Sequence, residues 1–141
     1  MRIITGIYKG RHFDIPRNFK ARPTTDFAKE NIFNVLTRYV DFENAVTLDL
    51  FAGTGSISLE LLSRGCTSVV SVEADREHAN FIRQCMKKLD TEHNILIRGD
   101  VFRFLKTCHQ QFDFIFADPP YALPELSTIP RLIFQYDLLK P

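Results

Sequence analysis

The sequence predicts an α/β fold, a parallel sheet with helices on both faces. Three observations carry the prediction. Short apolar runs at 46–51, 68–72, 94–98 and 112–117 alternate with segments of helical periodicity. A glycine pair, Gly53 and Gly55, follows the first run directly. The later runs close on Glu73, on Gly99-Asp100 and on Asp118-Pro119. The chain has 141 residues, of which 45% are hydrophobic and 25% charged. That length suits one domain with a sizeable core, and that balance excludes a disordered chain.

The elements follow in order. Arg2 to Ile15 reads as two short strands around Tyr8-Lys9-Gly10-Arg11, with Lys9-Gly10 as the hairpin turn. Pro16 to Pro23 is an irregular basic connection. Thr24, Thr25 and Asp26 offer a helix start. Ala28, Ile32, Val35, Leu36 and Tyr39 recur at helical spacing, so residues 25–40 are expected to form an amphipathic helix. Lys29, Glu30 and Arg38 fall largely on its other face. The first buried strand, Val46 to Phe51, leads through the glycines into a helix carrying Ile57, Leu59, Leu61 and Leu62 and ending near Gly65. A second strand, Ser68 to Val72, precedes a helix over Asp75 to Leu89 with Ala79, Ile82, Met86 and Leu89 on one face. A third strand, Asn94 to Arg98, precedes a short helix around Val101–Lys106. The fourth, Phe112 to Ala117, runs into Asp118-Pro119-Pro120-Tyr121, and residues 129–139 look helical.

Charge divides the chain. The net charge of +1 conceals +5 over residues 1–40 and −4 over residues 41–141. A basic head on a mildly acidic body suits a polyanionic partner, and it equally suits a solvated basic surface. The division sets a basic extension, 1–40, against a ligand-binding body, 41–141. Cys66, Cys85 and Cys108 are too scattered for a disulfide framework or a zinc site, so buried free thiols in a reducing compartment are expected. The four His form no ligand cluster, and no metal site is expected. Arg2 leads into a short, polar-interrupted strand, so no signal peptide is expected. No apolar run approaches a membrane span, and the expected location is the cytoplasm.

Four constellations carry chemistry. Leu48-Asp49-Leu50-Phe51-Ala52-Gly53-Thr54-Gly55 puts a glycine loop after a strand, but Ser58 stands where a third glycine would complete G-x-G-x-x-G. Asp49 would repel a pyrophosphate and attract a cationic ligand; otherwise it is a polar strand end facing solvent. Glu73, twenty-four positions later, has the offset of an acid that accepts from ribose hydroxyls. Asp100 could accept from an adenine amine or simply cap the next helix. Asp118-Pro119-Pro120-Tyr121 is the strongest. Two prolines fix the backbone and remove two N–H donors, leaving carbonyls and a carboxylate as acceptors beside a flat ring. Such an array suits an exocyclic amine on a planar base; the alternative is a rigid turn.

Together these segments resemble the successive motifs of S-adenosylmethionine-dependent, Rossmann-like methyltransferases that act on exocyclic amines. Arg2-Ile3-Ile4-Thr5-Gly6, Lys9-Gly10-Arg11, and Arg22-Pro23-Thr24 with Lys29 to Leu36 further resemble the bacterial 16S rRNA guanine-N2 methyltransferase family. The resemblance implies a class I methyltransferase sheet with S-adenosylmethionine as cofactor and small-subunit rRNA, or the small ribosomal subunit, as partner. It implies that Asp49 and the Gly53-Thr54-Gly55 loop face the cofactor's methionine end, and that Phe51 also binds the cofactor. Glu73 would take the ribose, and Asp100 with Val101 the adenine. Asp118 and Pro119 would hold the guanine amine while Tyr121 stacks on the base. Arg2, Lys9, Arg11 and Arg22 would meet RNA.

The resemblance also implies a strand order 3-2-1-4-5-7-6 that continues beyond Leu138-Leu139-Lys140-Pro141. The expectation is therefore a truncated sheet whose C-terminal strands are missing, with the long apolar fourth strand as an exposed edge. Three rival readings stay open: adenine-N6 methylation of DNA or RNA, a dinucleotide-dependent oxidoreductase, and a non-catalytic RNA-binding module. Asp49 and the absent third glycine disfavour the oxidoreductase.

Overall fold

A computed structural model describes residues 1–20, 24–119 and 128–141. Four parallel strands form the sheet: β1 (Val46–Leu50), β2 (Ser68–Glu73), β3 (Asn94–Arg98) and β4 (Phe114–Ala117). They lie in the order β3-β2-β1-β4. Among the described residues five helices alternate with them: α1 (Asp26–Leu36), α2 (Ser56–Ser63), α3 (Arg76–Leu89), α4 (Val101–Thr107) and α5 (Ile129–Gln135). Two hydrophobic clusters sandwich the sheet. One holds the N-terminal arm, α1, α2 and α3. The other holds α4 and α5 against Leu48, Leu50, Val70 and Val72.

Strand alternation sorts the residues between these faces. Side chains two apart share a face, so Leu48 and Leu50 serve the α4–α5 cluster while Thr47 and Asp49 turn toward α2. On β2, Val70 and Val72 go one way; Val69, Ser71 and Glu73 go the other. Register then sets Asp49 beside Ser71 and Leu50 beside Val72. On its other side β1 pairs with β4, Asp49 against Phe116 and Leu50 against Ala117.

Several expectations need correction. The N-terminal hairpin reduces to one antiparallel bridge, Arg2 to His12. Ile4 to Tyr8 do not pair across it, because α2 takes their backbone instead. The N–H groups of Ile4 and Thr5 donate to Glu60 at 2.8 and 3.1 Å. Those of Ile7 and Tyr8 go to Ser63 at 2.8 and 3.0 Å. Gly6, at φ +101°, makes this approach possible: a Cβ there would stand 1.9 Å from the Ser63 carbonyl oxygen. α1 ends at Leu36, short of residue 40. Its inner face is also rotated from the apolar stripe. Lys29 is buried, whereas Val35 and Tyr39 are exposed. The cause is Glu60, fully buried on α2, which draws the Lys29 ammonium to 3.7 Å and the Arg64 guanidinium to 2.9 Å. Lys29 also donates to the Arg2 carbonyl at 2.6 Å. It therefore belongs to the core and offers a polyanion nothing.

The outer side of β4 is not wholly bare. Phe112, fully buried, precedes the strand and forms a parallel bridge to Leu139. Its N–H donates to the Leu138 carbonyl at 2.8 Å, and the Lys140 N–H donates back at 2.9 Å. α5 accordingly ends at Gln135, earlier than residue 139. The three cysteines are free, and Cys66 and Cys85 are buried while Cys108 is half-buried. Burial pushes the Cys66 and Cys85 thiols up to about 11 and about 12. No helix among the described residues is long and apolar enough to cross a membrane.

Removing one partner of a buried ion cluster leaves an uncompensated charge. Glu60→Ala should therefore destabilise the fold by about 3 kcal/mol or more. Urea unfolding followed by far-UV circular dichroism checks this.

Candidate active site

The site forms at the carboxyl ends of β1, β2, β3 and β4. Between β1 and β4 the chain departs to opposite faces, the topological position where α/β sheets open a crevice. A cavity of about 680 Å³ occupies it. Asp49, Phe51, Gly53, Thr54, Glu73, Asp100, Val101, Asp118 and Pro119 all line it. Gly55 does not line it. At φ +81° Gly55 starts α2, and a Cβ there would press within 3.0 Å of Ile82 on α3. Tyr121 and Arg22 lie outside the described residues.

β1 stops at Leu50 because Phe51 takes left-handed backbone geometry, φ +56°. That conformation is strained for a bulky residue and collects at functional sites. It releases the strand into the glycine loop, and the Phe51 ring meets Phe102 of α4 at 6.4 Å between centroids. The loop is then pinned to the next strand. The Gly53 N–H donates to Glu73 at 2.7 Å, and the Asp75 N–H donates to its other oxygen at 2.8 Å. Glu73 thus serves both the loop and the cavity wall. Asp100 also has two duties: it caps α4 through the Arg103 N–H at 2.9 Å and lines the cavity.

Asp49 is not a solvent-facing strand end; it is 1% exposed. Its carboxylate accepts from the Ser58 hydroxyl at 2.6 Å. The hydroxyls of Ser58 and Ser71 lie 2.6 Å apart. Asn94 donates to Ser71 at 3.0 Å and to the Val69 carbonyl at 2.9 Å. These bonds fix a direction. Asn94 donates to Ser71, so Ser71 donates to Ser58, and Ser58 donates to Asp49. A one-way donor chain thus crosses from β3 to β1 and ends on the carboxylate. Burial pushes the Asp49 carboxyl up to about 7, with Glu73 and Asp118 adding to the rise; the Ser58 hydroxyl and N–H oppose it.

Sequence reading missed several of the cavity's residues. Lys20 and Thr24, from the basic connection and the start of α1, line it. Phe19, beside Lys20, packs edge-on to His78 and Phe81 of α3, at 4.6 and 5.3 Å, and so holds the connection against the site. Ser56, His78, Phe102 and Phe116 also line the cavity. Ser58, which bonds Asp49, left a signal as the residue in place of a third glycine. Among the described residues no cluster of His, Cys, Asp and Glu suited to a metal comes together.

Of the predicted arm residues, Arg2, Lys9 and Arg11 do not line the cavity. Arg2 pairs with Asp26 at 3.2 Å. Arg11 is exposed and donates to the Lys88 carbonyl at 3.1 Å. Lys9 is exposed.

A Rossmann-like sheet with an acid-lined cavity at its switch point places the chain in the methyltransferase fold class. The solved structures agree. An Escherichia coli protein, described provisionally as a methyltransferase, superposes with a TM-score of 0.88 at 27% identity, covering 99% of this chain and 75% of its own. A Bacillus subtilis protein whose name carries a provisional rRNA methyltransferase assignment is 37% identical over 99% of this chain and 77% of its own. Ribosomal RNA small subunit methyltransferase D of Haemophilus influenzae is 34% identical over 100% of this chain and 74% of its own. The family model described as Conserved hypothetical protein 95 matches residues 1–141, and the chain belongs to that family.

Ser58→Ala removes the donor that favours the charged form of Asp49. The Asp49 midpoint should rise above about 7, read from the carboxyl carbon shift across pH by NMR.

Proposed function

We propose that this chain is an S-adenosylmethionine-dependent methyltransferase acting on small-subunit rRNA, at the exocyclic N2 amine of a guanine. The observation that carries the reading is the wall of the cavity. Four carboxylates, Asp49, Glu73, Asp100 and Asp118, line it beside Phe51, Val101 and Phe102. Such a wall repels a dinucleotide pyrophosphate and fits a ligand that joins cationic and adenosine parts. S-adenosylmethionine supplies an electrophilic methyl on a positively charged sulfur when bound. The relatedness to a small subunit methyltransferase, over all of this chain and 74% of the relative, supports rRNA as the substrate. The cytoplasm, where that RNA resides, is the matching location.

The residues divide the work. Asp49 meets the cationic methionine end, Glu73 takes the ribose hydroxyls, and Asp100 with Val101 takes the adenine. Asp118 follows Ala117, which pairs with Leu50 of β1, so it stands at the mouth of the cavity. A guanine amine is a poor nucleophile because its lone pair is delocalised into the ring. The Asp118 carboxylate and the Pro119 carbonyl accept hydrogen bonds from its two N–H groups, favour a pyramidal nitrogen and expose that lone pair. Tyr121 stacks on the base. Positioning supplies much of the acceleration, and acceptors already in place stabilise the positive charge that develops on nitrogen. The base must leave its stack, at a cost of a few kcal/mol. Lys9 and Arg11 offset that cost through phosphate contacts.

Transfer of labelled methyl from S-adenosylmethionine to 16S rRNA or 30S particles, followed by mapping of the modified nucleotide, tests the reading. Asp118→Ala should lower the rate by about a hundredfold or more and leave cofactor affinity within a few-fold; an undiminished rate overturns the assignment. Arg11→Ala should weaken RNA binding and reduce the salt slope by about one, measured by filter binding at several ionic strengths.

A further inference from the structure

The buried serines behind Asp49 take their direction from a residue that does not line the cavity. Two hydroxyls in contact, such as Ser58 and Ser71 at 2.6 Å, can bond through either hydrogen. A carboxyl pushed up to about 7 leaves a similar choice open. Ionised, it only accepts; protonated, it can donate back along the serines. Asn94 removes the choice. Its amide lies 2.9 Å from the Val69 carbonyl, which only accepts, so the amide atom there is the nitrogen. That nitrogen carries a second hydrogen, which goes to Ser71 at 3.0 Å. A chain running the other way would set the Ser71 hydroxyl hydrogen against this N–H. Ser58 and Ser71 are fully buried and Asp49 is 1% exposed, so bulk water does not rescue a reversed chain.

Asn94 opens β3, opposite Val69 of β2 and two strands away from Asp49. We propose that Asn94 is a positioning residue for the site: a fixed donor on the far side of β2, it makes Ser71 and Ser58 donate toward β1 and so keeps the Asp49 carboxylate ready to receive a ligand cation. This rests on the reading that Asp49 meets the cationic end of the ligand. The charges that act on Asp49 directly are those of Glu73 and Asp118, and Lys20, His78 and Asp100 share its cavity. Asn94 differs from all of these in carrying no charge. Its influence therefore passes through hydrogen-bond direction, and replacing it with Ala leaves every charge in place.

Two readouts across pH test this: the Asp49 carboxyl carbon shift by NMR, and S-adenosylmethionine affinity by titration calorimetry, taken as the ratio of variant to wild type. Asn94→Ala should raise the Asp49 midpoint. Binding uses the ionised carboxylate, so affinity rises with pH through that midpoint, and the variant's curve moves to higher pH. Near pH 7 the variant should bind about three- to fivefold more weakly, as befits one neutral hydrogen bond lost from the chain. By about pH 8.5, where both forms are ionised, it should match the wild type within about twofold. Asn94→Asp, which keeps the shape and exchanges the donor for an acceptor, should move the midpoint the same way. Ser71→Ala cuts the chain at its middle and should give a like shift; Asn94→Ala added to it should change little more, because the two act in series. An unmoved midpoint in either folded Asn94 variant, an equal loss of affinity at both pH values, or additive effects in the double variant overturns the role given to Asn94. A midpoint that moves while affinity stays level overturns the reading of Asp49 as the acceptor of the ligand's cation, and the proposal with it. If the wild type does not bind S-adenosylmethionine, the reading of the cavity itself fails.

Discussion

The buried carboxylate of Glu60 is the constraint on which the rest of the structure depends. Every residue of α2 is buried, so a charged side chain on it needs partners inside the protein. Glu60 solves this by collecting two backbone N–H groups from the arm, the Arg64 guanidinium and the Lys29 ammonium. One acid thereby ties together the arm, α1 and α2. The solution dictates which face α1 turns inward, and it pulls the arm out of the hairpin it would otherwise complete. Residues 1–40 consequently share one hydrophobic cluster with α2 and α3.

The opposite end of α2 poses the same problem with a different answer. There the buried acid is Asp49, and its partners are hydroxyls in place of cations. Burial, with two acids nearby adding to it, pushes its carboxyl up to about 7, whereas Glu73 accepts from two backbone N–H groups. The contrast is physical. Glu60 is neutralised within the fold by two cations, whereas Asp49 has the Ser58 hydroxyl as its donor. Strain at Phe51 belongs to the same pattern, since it opens the loop that brings donors and acceptors to one wall.

Much of the architecture was legible because it is local. The four strands and the helices between them follow from apolar runs, periodicity and glycine, and their boundaries shift by only a few residues. Asp49, Glu73, Asp100 and Asp118 were legible because strand ends in an alternating α/β chain converge on one edge of the sheet. What escaped depends on contacts between distant segments. No pattern in α1 marks Lys29 as buried; that follows from Glu60, thirty-one positions away. Ser58 stands out only as the residue in place of a third glycine until the register of β1 and β2 sets Asp49 beside Ser71, and both meet its hydroxyl. Lys20 and Thr24 enter the cavity because Phe19 docks on α3, a contact that neither segment announces alone.

The eight residues of α2 span about 12 Å. One end carries the cavity wall and the other carries the arm, and neither is joined to the helix by a flexible side chain alone. The helix is therefore a fixed gauge. On the proposed function, a nucleic acid that met both the arm and the cavity would be measured by the length of a buried rod, so the choice of nucleotide would be a matter of distance along the substrate as well as of chemistry at the base.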